Sequence, residues 1–129
     1  MNKRSDEEFI LESFILMNSI SGFFDHSIKE LRPLYKDSFK KIFEDTISLL
    51  NVASVRISRF VDKWENDDYN ICNTLKTINE YISYYCTCLK QSDERFFMRD
   101  SGYIIDSMNT AKLGLKNKIK KINGRFNKL

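Results

Sequence analysis

Apolar residues recur along most of this chain at steps of three or four, the period that lines up side chains on one face of an α-helix. The most regular run is Ile71, Leu75, Ile78, Ile82, Tyr85 and Leu89, stepping 4, 3, 4, 3, 4 without a gap. An earlier run holds Ile10, Phe14, Met17, Phe24, Ile28 and Leu31. A second includes Tyr35, Phe39, Phe43, Ile47, Leu50, Ile57, Phe60 and Trp64, with Val52 and Val55 keeping its middle apolar. The last holds Ile104, Met108, Ala111, Leu115, Ile119, Ile122 and Phe126. These stripes predict helices over 6–31, 34–64, 68–90 and 93–123.

Boundary signals support the division. Ser5, followed by Asp6, Glu7 and Glu8, fits a capping box with acids in the first turn. Pro33 disfavours helix just before it and is tolerated in a first turn, so it separates the first two helices. Residues 65–68 read as a polar turn, with Asp67 or Asp68 capping the third helix. Ser92, before Asp93 and Glu94, is the expected cap of the fourth, and Gly124 its expected terminator. Gly22 and residues 100–102 are expected to kink or break the first and last helices. Short connections make sequential helices antiparallel neighbours. The prediction is an all-α antiparallel helical bundle of about four helices, forming one domain over 1–129.

Composition agrees. A chain of 129 residues buries roughly two-thirds of its unfolded surface, and 10 Phe with 6 Tyr predict a core rich in rings. Four Gly and one Pro are too few for the frequent turns of a sandwich or barrel. No apolar stretch is long enough to span a membrane. Asp6, Glu7, Glu8 and Glu12 interrupt any signal peptide that Lys3 and Arg4 would open. Cys72, Cys86 and Cys88 share the third predicted helix. Cys72 and Cys86 are then about 21 Å apart, whereas a disulfide needs Cα atoms within about 7 Å. Cys86 and Cys88 diverge by about 200° around the axis. Reduced thiols suit a cytoplasmic location.

Little in the chain suggests catalysis. His26 is the only histidine, and there is no His-Glu-x-x-His or Cys-x-x-Cys. Gly22, Gly102, Gly114 and Gly124 are scattered singly, unlike a phosphate-cradling loop. Glu65, Asp67 and Asp68 lack the alternating oxygen ligands of a calcium loop. Glu44 and Asp45 read as solvated charge on an amphipathic helix. The expectation is a non-enzymatic protein with no metal and no cofactor.

Two features stand out. Between residues 9 and 20, 8 of 12 residues are apolar, and only Glu12 and Ser19 mark a clear polar strip. A corner helix of a bundle needs one apolar stripe of roughly 100°. Either this helix lies centrally in the domain, or Leu11, Ile15 and Leu16 form a second face that binds a protein partner or another copy of the chain. The second feature is charge. Up to residue 111 there are 14 bases against 18 acids; beyond it come seven bases and no acid. Lys112, Lys116, Lys118, Lys120, Lys121 and Arg125 flank the apolar arc of the last helix. They suit a helix C-terminus by its dipole. Alternatively they form a nucleic-acid contact, a reading favoured over attachment to a membrane surface.

Overall fold

A computed structural model describes residues 3–33, 35–64 and 69–127. Four helices account for nearly all of them: α1 (Lys3–Leu31), α2 (Phe39–Trp64), α3 (Tyr69–Gln91) and α4 (Phe97–Asn127). There is no strand among the described residues. α1 packs against α2 and α4, and α3 closes the square against the same two helices. Neighbours run antiparallel: Arg56 of α2 reaches Ser19 while Lys63 reaches Glu12, so α2 descends as α1 rises. The predicted all-α, four-helix antiparallel bundle is the observed fold.

The stripes become its core. All six residues of the Ile71-to-Leu89 run are buried. So are Ile10, Met17, Phe24, Ile28 and Leu31 of α1, and Ile104, Met108, Ala111, Leu115 and Ile122 of α4. Rings cluster as expected: Phe9 packs edge-on to Trp64 at 5.4 Å, and Phe24 meets Tyr85 across the bundle at 6.3 Å. Ser13 and Thr46, buried on this apolar side, donate their hydroxyls to the carbonyls of Ile10 and Ile42 in their own helices. No disulfide joins the cysteines; Cys72 and Cys86 are buried and Cys88 half-buried.

The helix ends differ from expectation in instructive ways. The second helix was expected from residue 34 but is α-helical only from Phe39. Tyr35 is extended and a 3-10 turn covers Lys36–Ser38. Ser38 donates both its N–H, at 3.0 Å, and its hydroxyl to the Tyr35 carbonyl. Tyr35 therefore leaves the stripe and is 74% exposed. Val52 and Val55 also face solvent rather than the core. Ser92 does not cap the fourth helix. Asp93 instead orders the turn ahead of the helix, its carboxylate accepting the Arg95 N–H at 2.9 Å and its carbonyl the Phe96 N–H at 3.1 Å, and α4 starts only at Phe97. Neither Gly22 nor residues 100–102 break their helices. Every described glycine keeps a negative φ, and Phe24, Ser101 and Ile104 beside them are buried, so packing holds the helix through each weak point. α4 also continues past Gly124. Ser5, the expected cap of the first helix, lies inside α1, which already runs from Lys3, and the expected caps at Asp67 or Asp68 and the side chains of Arg125 and Phe126 lie outside the described residues.

Candidate interaction surface

α1 is a corner helix, not a central one. Its core side takes Phe9, Ile10, Leu16, Met17 and Ile20, while Phe14 is partly buried. That leaves Leu11 and Ile15, which are 48% and 58% exposed. Leu16 parts company with them: it is 8% exposed and belongs to the core, touching only the edge of the groove between α1 and α2. The broad apolar circumference seen in the sequence thus divides into a core stripe and two outward residues on successive turns.

The outward strip extends beyond those two. Glu8, Leu11, Ile15, Asn18, Gly22, Asp25 and Lys29 are all exposed and alternate in steps of three and four. Sequence reasoning missed Glu8, Asn18, Gly22, Asp25 and Lys29 as members of this strip because they are polar or small. Their signal is a second seven-residue repeat, half a turn away from the core stripe.

Both flanks of the strip are held by polar contacts. Toward α2, Lys63 Nζ donates to Glu12 Oε1 at 2.7 Å and to Glu8 Oε1 at 3.2 Å, and Trp64 Nε1 donates to Glu12 Oε2 at 2.6 Å. Partial burial alone would raise the Glu12 pKa, but the hydrogen bonds from Lys63 and Trp64 and the ammonium charge outweigh it and hold the carboxyl below its ordinary range. The same bonds raise the Lys63 pKa. Arg56 folds back onto α1, donating to Ser19 Oγ at 3.0 Å with its guanidinium 5.2 Å from the Phe23 ring. Toward α4, Lys112 pairs with Asp25.

The C-terminal cations do not form one stripe. Lys112 reaches α1 through Asp25, whereas Lys118 donates to Asn70 of α3 at 3.3 Å. Lys116, Lys120 and Lys121 are exposed at other angles around the axis, so the group makes a collar. The apolar arc between them is taken by the core, with Ala111, Leu115 and Ile122 all buried.

A second concavity separates α3 from α4, the most loosely packed neighbouring helices. Ser107, Thr110, Ala111 and Gly114 present a face of small side chains on α4 that leaves a groove of about 510 Å³. Tyr81 and Tyr103 stand at its rim with Lys118 toward one end, and no carboxylate lines it. Tyr84 meets Tyr103 edge-on at 6.0 Å. The Tyr85 hydroxyl and Ser107 Oγ share a 2.6 Å hydrogen bond there.

Chemistry elsewhere is sparse. His26 sits beside Glu30 and Asp45 at a shallow groove between α1 and α2. Burial pushes the Cys86 thiol pKa up, which disfavours the nucleophilic thiolate. No group of three His, Cys, Asp or Glu side chains suited to a metal ion occurs among the described residues, and no helix among them is long and apolar enough to cross a membrane. Comparison of the chain with family models, curated proteins and solved structures gives no match.

Proposed function

We propose that this chain is a non-enzymatic helical interaction module that buries the outer face of α1 against another protein chain, in the reducing environment of a cytoplasm. The exposure of Leu11 and Ile15 on successive turns of one face carries this reading. An isolated exposed apolar residue is ordinary. Here two large ones lie side by side on a strip whose remaining members are polar or small, and whose flanks are already taken by α2 and α4. Free in water, this pair forgoes about 25 cal/mol for every Å² of apolar surface that a partner would cover.

The test is recovery of the tagged chain from its native cell, as wild type and as Leu11→Glu/Ile15→Glu, with partners identified by mass spectrometry. Partners should be lost in the variant while its melting transition stays near that of wild type. Equal recovery from both would overturn the reading.

A second reading has one observation in its favour. The α3–α4 groove brings Tyr81, Tyr103 and Lys118 together without a carboxylate. Rings and cations in one groove suit a single nucleic-acid strand, whose bases stack and whose phosphates attract lysine. That reading moves the nucleic-acid contact from the whole collar to Lys118 and its neighbour Lys121. Nuclease-sensitive recovery, and a gel shift at low salt that Lys118→Glu/Lys121→Glu abolishes and Lys116→Glu/Lys120→Glu does not, would support it over the first.

A further inference from the structure

Resting on the α1-face reading, we infer that the partner is a second copy of this chain, with the two α1 helices antiparallel about a twofold axis close to Asn18. A twofold interface pairs one surface with itself, so the patch must be self-complementary. The outward strip meets that condition in one direction only. Its seven residues, Glu8, Leu11, Ile15, Asn18, Gly22, Asp25 and Lys29, are spaced 3, 4, 3, 4, 3, 4, a repeat that keeps them on one face of α1; only Leu11 and Ile15 are large and apolar, so the charges at its ends set the direction of pairing. In a parallel pair Glu8 would face the partner's Glu8, Asp25 the partner's Asp25 and Lys29 the partner's Lys29. The two Lys29 ammonium groups would then repel, and the Glu8 and Asp25 layers would bring together carboxylates already paired with Lys63 and Lys112 of their own chains.

Antiparallel pairing removes these clashes. With the axis near Asn18, Glu8 lies opposite the partner's Lys29, and this happens twice. Ile15 lies opposite the partner's Gly22. Gly22 is exposed and a Cβ built on it meets nothing within 4 Å in its own chain, so no side chain there stands in the way of the approaching Ile15. Leu11 covers the turn that carries the partner's Asp25 and His26. Asn18 lies at the axis, anchored by its own amide donating to the Phe14 carbonyl at 2.9 Å. A polar residue at one seam position is a known means of fixing register. Arg56, folded back onto Ser19 and Phe23, stays clear of the approaching copy.

Cysteine crosslinking of the full chain tests both partner and direction. With Cys88 replaced by Ser, Asn18→Cys should give a covalent dimer on mild oxidation. Glu8→Cys alone and Lys29→Cys alone should not, but a mixture of the two should give the heterodimer. Sedimentation equilibrium adds a charge test: Glu8→Lys should weaken the dimer about threefold to tenfold, and mixing it with Lys29→Glu should restore association. Crosslinking by Glu8→Cys alone would overturn the antiparallel register. A dimer that survives Leu11→Glu/Ile15→Glu would overturn the α1 face altogether. A monomeric wild type at several hundred micromolar would overturn the second copy as partner and leave the α1-face reading to the recovery experiment.

Discussion

Glu12 shows how much one side chain does at the edge of this bundle. Its carboxylate accepts from both Lys63 and Trp64, and so ties α1 to the end of α2 just beside the proposed interface. Because its pKa is held below the ordinary value of 4.5 in the folded protein, the bond stabilises the fold above that pH. The contribution is lost as pH falls through the lowered value. Lys63 works in the opposite sense: its raised pKa supplies stability that is lost only at strongly alkaline pH. Glu12→Gln should therefore cost about 0.5–1 kcal/mol at neutral pH, allowing for solvent screening of this half-exposed group. The difference between wild type and variant should shrink as pH drops below 4.5. Denaturant unfolding across that range measures it, and a constant difference would mean that the carboxylate's charge plays no part.

At the scale of the element, the helical stripes were legible because burial imposes a strict period, and the core of α3 emerged residue for residue. The ends were less legible because several local signals compete there. Ser92, Asp93 and Glu94 all suit a helix start, and sequence alone favoured Ser92. None of them caps α4, which starts at Phe97; Asp93 holds the turn before it, its carboxylate accepting the Arg95 N–H, and that bond is the main cause of its lowered pKa. Asp93→Ala should accordingly lower the melting temperature, whereas Asp93→Asn, which keeps an acceptor oxygen, should largely preserve it. Equal loss in both variants would point to the charge rather than the turn hydrogen bond. Gly22 misled for the converse reason: a glycine weakens a helix by about 1 kcal/mol relative to alanine, and the buried neighbours of Gly22 offset that. The candidate surface was half legible. Leu11 and Ile15 were visible as an excess of apolar residues. Leu16 was misplaced because a 100° wheel assigns an angle but cannot say how far α2 reaches around the helix. The collar of lysines was visible as charge, but its division between α1 and α3 depended on where Asp25 and Asn70 lie in space.

At the scale of the molecule, each helix turns its main apolar stripe into the core, while single large apolar side chains such as Val52, Val55, Met98 and Leu113 stay exposed on the other helices. α4 spends its apolar arc on the core, leaving its cations as a solvated collar. α3 and α4 part enough to leave an aromatic groove. The outer strip of α1 sets two large apolar residues, Leu11 and Ile15, on successive turns, with Glu8 at one end and Lys29 at the other. The most direct test is sedimentation equilibrium of wild type and Leu11→Glu/Ile15→Glu over a wide concentration range, with a thermal melt of each. Wild type should move from monomer to dimer as concentration rises. The variant should remain monomeric with its melt changed by no more than about 0.5 kcal/mol per exposed substitution. Identical association in the two proteins would contradict the assignment of α1 as the interface.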